Sequence, residues 1–350
     1  MIFTERGPGV ETLKSWTAVK LETRHFDSSK KFTRPDYSVN EQYSRIKEIW
    51  KFSSVANVIS TPVVSNSIVI FGNQNGKMMA LSLKDGKEKW SYQTNGAIFS
   101  SPAADDRKVV FGSGDNNIYC LNAVTGKLKW KFQCTASVLG CPAIENNIVY
   151  IGASDHHFYA IDLLSGKMKW SFDGLEGPVV STPLLYEGKI IFGAWDRNLY
   201  TLDKNNGALL WKWNNGSFIR NYSPAACIPV AKDGVVYVVA PDRYISAIDI
   251  TDGKTLWRNN DATVRESIGI SADGKWVYGK TMQDTIVAYT TSREKQSLTW
   301  KINCGFGYEH IPSMLIEKED EVFFGARNGV VYCIDPLQKK LFGNTKLIIQ

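Results

Sequence analysis

The chain has 350 residues, 43% hydrophobic and 22% charged, with 41 Lys and Arg against 35 Asp and Glu for a formal net charge of +6. A single hydrophobic core stops growing at roughly 250–300 residues, so this length demands several domains or a modular stack, and the composition excludes a disordered chain. No apolar run reaches the 18 or so residues of a membrane span, and no basic stripe interleaved with aromatics argues for nucleic acid, so a mixed, solvated surface is expected.

Residues 1–43 stand apart from the rest of the chain. Gly7-Pro8-Gly9 and Arg34-Pro35-Asp36 break the segment, and only residues 13–21 show apolar alternation. It reads as a linker or the tail of a preceding module. Residues 1–10 lack the basic-then-apolar order of a secretory signal. Residues 45–52 then supply an outer strand carrying Trp50 without strands before it.

From there one phrase recurs: Asp85-Gly86-Lys87-Glu88-Lys89-Trp90, Thr125-Gly126-Lys127-Leu128-Lys129-Trp130, Ser165-Gly166-Lys167-Met168-Lys169-Trp170, Asn206-Gly207-Ala208-Leu209-Leu210-Trp211 and Asp252-Gly253-Lys254-Thr255-Leu256-Trp257. Trp50, Trp90, Trp130, Trp170, Trp211, Trp257 and Trp300 follow one another at 40, 40, 40, 41, 46 and 43 residues, the signature of a repeat architecture. The Gly supplies a turn position at positive φ, the alternation after it is a half-buried outer strand, and each Trp can bury about 150–250 Å² between neighbouring sheets. A buried second strand recurs seven times, from Ile68-Val69-Ile70-Phe71-Gly72 to Val322-Phe323-Phe324-Gly325. Four-stranded units at this period predict an all-β fold, a β-propeller of antiparallel blades over residues 44–350.

The ending departs from the pattern. The sixth unit lacks the turn Gly, the seventh has Asp335-Pro336-Leu337 and no Trp, and residues 344–350 read as the start of another first strand. With the orphan outer strand at 45–52, this favours an eight-bladed parent with one blade incomplete. The alternative is a seven-bladed ring closed by residues 45–52 beside 330–334.

Candidate functional residues come from the first strands. The first four units open Val58-Ile59-Ser60-Thr61-Pro62, Ile98-Phe99-Ser100-Ser101-Pro102, Val138-Leu139-Gly140-Cys141-Pro142 and Val179-Val180-Ser181-Thr182-Pro183. The last three, aligned as Arg220-Asn221-Tyr222-Ser223-Pro224, Arg265-Glu266-Ser267-Ile268-Gly269 and Tyr308-Glu309-His310-Ile311-Pro312, break the apolar columns. This alignment places Arg220, Asn221, Tyr222, Arg265, Glu266, Tyr308, Glu309 and His310 near one mouth of the channel. There they would hold a polar or anionic ligand or a partner's loop. The plainer alternative is inter-blade ion pairing, Arg220 with Glu266 and Arg265 with Glu309.

Other residues read as structure. Asp115, Asp155, Asp196 and Asp242 share a turn position where a carboxylate accepts backbone N–H bonds. His156-His157 point to opposite faces of an extended segment and chelate poorly, so no metal is expected. Trp195 and Trp213 are exposed candidates for a partner. Cys120 and Cys333 share a small-residue column with Ala80, Ala160 and Ala247, and the cysteines leave the redox compartment open. No GxSxG, HExxH, Walker or GxGxxG motif is present, and no catalytic residue is assigned.

The Gly-Lys-x-x-Trp phrase, the segments Leu121-Asn122-Ala123-Val124-Thr125-Gly126 and Ile161-Asp162-Leu163-Leu164-Ser165-Gly166, and the Ser/Thr-Pro openings resemble the PQQ-like repeat over residues 45–350. That family includes quinoprotein alcohol dehydrogenases, which hold pyrroloquinoline quinone on the ring axis beneath a vicinal cysteine pair and beside a Ca²⁺. No two cysteines here are adjacent, and four of the seven openings are apolar or small, so no quinone or other cofactor is expected. The family also includes the non-catalytic propeller lipoprotein of the bacterial outer-membrane β-barrel assembly machinery. Other members are propellers fused to hydrolases such as calcineurin-like phosphoesterases, a junction that residues 1–43 would suit. The resemblance therefore implies a non-catalytic scaffold in the periplasm or envelope that binds a protein or a small polar ligand. A quinoprotein dehydrogenase and the accessory ring of a hydrolase are the alternatives.

Overall fold

The computed structural model describes residues 50, 52–105, 107–308, 313–318, 321–326, 330–337 and 340–346. Among them 28 strands form seven four-stranded antiparallel sheets, each in simple sequential order. In the first sheet Val63–Ser65 is the inner strand, Ile68–Gly72 and Lys77–Ser82 are the middle strands and Glu88–Gln93 is the outer strand. The apolar middle strands are buried on both faces, as their continuous hydrophobic runs require. The outer strand buries Trp90 and exposes Glu88, Lys89 and Ser91.

Strand register explains the small-residue column. Ala80, Cys120, Ala160, Thr201, Ala247 and Ala288 each stand directly opposite a tryptophan of the outer strand. A larger side chain there would displace the indole. Cys120 is fully buried and its thiol is pushed up to about 12 by that burial, so it packs and does not react.

Each tryptophan docks on the sheet that follows it. Trp90 packs with Phe111, Tyr119 and Leu121 of the second sheet, and its indole N–H donates to the Ala123 carbonyl at 2.8 Å. Trp130 repeats this bond to Leu163 at 2.9 Å, Trp211 to Ile250 at 2.9 Å and Trp257 to Ser292 at 3.1 Å. The glycine of the next unit's turn lies under the ring: a Cβ on Gly126 (φ +68°) would come within 2.7 Å of Trp90, and one on Gly166 (φ +72°) within 2.7 Å of Trp130. Glycine is required there twice, for the left-handed backbone and for the indole above it. Among the described residues the Trp300 N–H finds no hydrogen-bond partner.

All seven sheets contribute to one cavity of about 900 Å³, with Pro62, Pro102, Pro142, Thr182, Ile228, Ile268 and Leu315 in its wall. Inner strands around a shared hole, with sheets stacked through Trp-docked seams, make this a β-propeller.

Two expectations about the ends are corrected. Residues 344–346 do not begin a first strand: Lys340–Lys346 is the outer strand of the seventh sheet and pairs with Val330–Asp335. In the turn before it the Asp335 carboxylate accepts the Leu337 N–H at 2.8 Å. That pairing also takes the edge to which residues 45–52 would have closed a seven-bladed ring. Trp50 instead donates to the Leu83 carbonyl at 2.8 Å and lies over Gly86, the seat that Trp90, Trp130 and Trp211 take on their following sheets. Trp50 thus sits on the first sheet as the tryptophan of a preceding unit would. The segment 1–43 lies outside the described residues.

Candidate functional site

Hydrogen bonds on the inner strands reset the register of the last three units. Ser60 Oγ accepts the Gly72 N–H at 3.0 Å and donates to the Gly72 carbonyl at 3.0 Å, and Gly112 N–H donates to Ser100 Oγ in the same way. In the fifth unit the residue that meets the equivalent backbone, at Val239, is Cys227. Cys227-Ile228-Pro229 is therefore the counterpart of Ser60-Thr61-Pro62, and Pro224 belongs to an insertion. In the sixth unit Gly269 pairs with Tyr278 as Val63 pairs with Ile70, which puts Glu266 at the serine position. In the seventh, Gly325 N–H donates to Ser313 Oγ at 2.9 Å. The apolar column thus survives as Ala225 and Val264, both fully buried.

The described candidate residues are not among those that line the axial cavity. Arg220, Asn221 and Tyr222 form a single 3-10 turn (Arg220–Tyr222) in the connection between the fourth and fifth sheets. Arg220 donates to the Glu176 carbonyl at 3.3 Å, so the Arg220–Glu266 ion pair is not made. Arg265 Nε lies 3.6 Å from Glu266 Oε2 and has no hydrogen-bond partner. Burial raises the Glu266 carboxyl above its usual range, with the Arg265 charge opposing. Tyr308 ends the sixth sheet's outer strand, Trp300–Tyr308, at 59% exposure. Glu309 and His310 lie outside the described residues, and with them the Arg265–Glu309 pair.

The connection that carries Arg220 is pinned at both ends. Asn215 Nδ2 donates to the Tyr222 carbonyl at 3.1 Å and to Asp242 Oδ2 at 2.7 Å. Arg258 pairs with the same carboxylate, donates to the Asn215 carbonyl at 3.2 Å and sits 4.3 Å from the Tyr244 ring centroid. At the other end the buried Ser223 hydroxyl accepts the Arg197 N–H at 2.8 Å, and Pro224 packs on Gly193, where a Cβ would meet its carbonyl at 2.2 Å. Between the pins Phe218 is 92% exposed and Ile219 51% exposed, beside exposed Arg220 and Asn221. Leaving Phe218 in water forgoes about 1.5–3 kcal/mol of burial. Exposed aromatics beside Arg are what interface anchors are made of. The sequence signal for this loop was the 46-residue spacing from Trp211 to Trp257. Anchoring on the wrong proline, Pro224 in place of Pro229, hid it.

The repeated aspartates hold the connections in place. Asp115 Oδ2 accepts Asn95 N–H at 2.9 Å and Tyr119 OH at 2.8 Å; Asp155 and Asp196 do the same with Thr135 and Tyr159 and with Glu176 and Tyr200. Burial opposes ionisation of Asp115, but the bonds from Tyr119, Asn117, Asn95 and Ser113 outweigh it and keep the carboxyl below its usual value. A carboxyl lowered on folding stabilises above its unfolded pKa of about 4 and stops doing so as pH falls through the folded value. Asp115→Asn is therefore expected to cost about 1–2 kcal/mol at neutral pH and progressively less below pH about 4, read by urea unfolding at several pH values.

His157 Nδ1 lies 2.8 Å from the Asp155 carbonyl and its ring stacks on Tyr159. Trp213 is not exposed: it is buried and donates to Thr255 Oγ1 at 2.7 Å, so it packs against the following sheet. Trp195 is half-buried over Gly177. Among the described residues the wall of the axial cavity has no Arg or Lys. Glu317, the carboxylate among the described wall residues, is bonded to the Tyr278 hydroxyl and the Ala272 N–H. Cys141 stands there without a neighbouring cysteine. The described lining lacks the cations that a quinone bearing several carboxylates calls for.

A family model described as outer membrane protein assembly factor BamB matches residues 43–100, 94–220 and 187–340. The chain belongs to that family. Its fold is similar to that of BamB from Moraxella catarrhalis, at 17% identity and a TM-score of 0.67 over 81% of this chain and 85% of that one. The same BamB-family fold is shared with a europium-containing methanol dehydrogenase, at 13% identity and a TM-score of 0.70 over 88% and 81% of the two chains. A computationally designed protein, Ika8, matches at 18% identity and a TM-score of 0.71 over 85% and 90%. None of the curated proteins matches the chain by sequence. At these identities the structural likenesses establish the fold alone.

Proposed function

We propose that this BamB-family propeller is a non-catalytic scaffold of the bacterial envelope that holds a protein partner through residues 217–221. The observation that carries the reading is the pinned insertion that keeps Phe218 and Ile219 in water beside Arg220. The loop is organised before binding, which spares a partner much of the ordering cost of association. Phe218 and Ile219 supply the apolar anchor, and Arg220 selects a carboxylate or carbonyl at its edge. The partner is accordingly a folded protein with an apolar pocket rimmed by acid. The family name, which concerns outer-membrane protein assembly, supports a protein partner in the envelope.

No cofactor enters this reading. The repeated carboxylates are engaged in hydrogen bonds, and the axial wall offers no Arg or Lys among the described residues. Phe218→Ala with Arg220→Glu is expected to weaken partner recovery from the envelope of the source cells about 30-fold or more, an interface anchor being worth about 2 kcal/mol or more. The thermal midpoint should stay unchanged, since neither side chain is buried. Unaltered recovery of the same partner would count against the loop.

A further inference from the structure

We propose that the outer rim of the second, third and fourth sheets is a docking surface for an anionic phospholipid bilayer. This is independent of the partner loop and rests on different residues. The repeat returns to the same edge every forty or so residues, so lysines scattered along the sequence gather in space. Leu128, Met168 and Leu209 pair with Leu121, Ile161 and Leu202 in one register and so stand at one level on the three sheets. They are 43%, 50% and 44% exposed, and Val124 and Leu164 on the adjoining turns are 57% and 62% exposed.

Between these aliphatics stand Lys127, Lys129, Lys131, Lys167, Lys169 and Lys212, all exposed. None makes an ion pair among the described residues, and segments 124–131, 164–169 and 205–212 contain no Asp or Glu. The neighbouring carboxylates are Asp162, beside Lys169, which is taken up by the hydroxyl and N–H of Ser165 and the N–H of Leu164, and Asp203, which accepts the N–H groups of Asn205 and Asn206. The neighbouring sheets differ. On the first, Lys77 and Lys87 pair with Glu88 and Asp85, and on the fifth Lys254 pairs with Asp252. Lys84 and Lys89 of the first sheet are also exposed, but they stand among Asp85 and Glu88, whereas on the second to fourth sheets the outer-strand lysines stand beside exposed aliphatic side chains with no carboxylate in the same segment.

That combination selects the occupant. A free phosphate or a nucleic acid would use the ammonium groups and leave Leu164 and Met168 in water. A bilayer uses both, with lysines at the headgroup phosphates and aliphatic tips in the interfacial layer. The strand Leu209–Asn214 runs from this rim toward the loop that carries Phe218, so the partner loop lies at the other end of the outer strands. A membrane and a partner can be held together.

The test is sedimentation of the full chain with vesicles of phosphatidylglycerol and phosphatidylcholine, against vesicles of phosphatidylcholine alone. Binding is expected to need the anionic lipid and to weaken as salt rises. Lys129→Glu with Lys169→Glu is expected to lower the partition at least about tenfold, each lysine near an anionic surface being worth about fivefold. Leu164→Ser with Met168→Ser is expected to weaken it while leaving the salt dependence unchanged. Equal binding to both vesicle types, full binding by the double glutamate variant, or capture of an RNA duplex in place of vesicles would each overturn the proposal.

Discussion

Trp130→Ala is expected to lower the unfolding free energy by about 3–5 kcal/mol, the usual cost of emptying a buried Trp site. The indole is 9% exposed, packs against Val149, Ile161 and Leu163 of the next sheet, and gives its N–H to the Leu163 carbonyl. Removing it opens a cavity in a seam and strands a carbonyl, two losses that add. Because the seam joins the second and third sheets, the damage is local in a ring whose units contact mainly their neighbours. Hydrogen exchange should therefore show protection falling first in the strands Ile148–Gly152 and Phe158–Asp162, with the fifth and sixth sheets little changed. A uniform loss over all sheets would show that the seams do not act as separate units.

The second large effect is a coupling between positions thirty-six residues apart. Gly126→Val is expected to cost about 2–5 kcal/mol, from about 1–2 for a Cβ at left-handed φ and about 1–3 for the side chains it displaces. The displaced group is Trp90, whose ring a Cβ would approach within 2.7 Å. In a Trp90→Ala background only the backbone cost should remain, so the double-mutant cycle is expected to return a coupling of about 1–3 kcal/mol. Additive costs would mean that the glycine serves the turn alone.

That pair also marks how far the sequence could be read. The turn glycine, the alternating outer strand and the tryptophan were legible because each obeys a local rule, of positive φ, of period two and of size. The second duty of the glycine was not, because the indole above it comes from the preceding unit. Units five to seven were misregistered for a related reason. Proline marks the inner strand in the first four units, but the fifth has a second proline in its insertion, and Ile268 and Leu315 replace it in the sixth and seventh. Only the backbone bonds of Cys227 and Ser313 and the strand pairing around Gly269 restore the frame.

The placement of charge was not legible for the same reason. Lysines forty residues apart look diluted along the chain, yet the repeat sets them side by side on the rim. The repeated aspartates, by contrast, were correctly read as structural, since a side chain that recurs at one turn position answers to geometry shared by every blade.

Recognition by the loop rather than by the axis is what the account asserts, and site-specific photo-crosslinking in the source cells tests it most directly. A photoreactive residue at position 218 is expected to give one defined protein adduct that disappears when Arg220→Glu is added, while the same probe at position 182, in the cavity wall, gives none. An adduct at 182 with none at 218 would contradict the account and return the binding site to the channel.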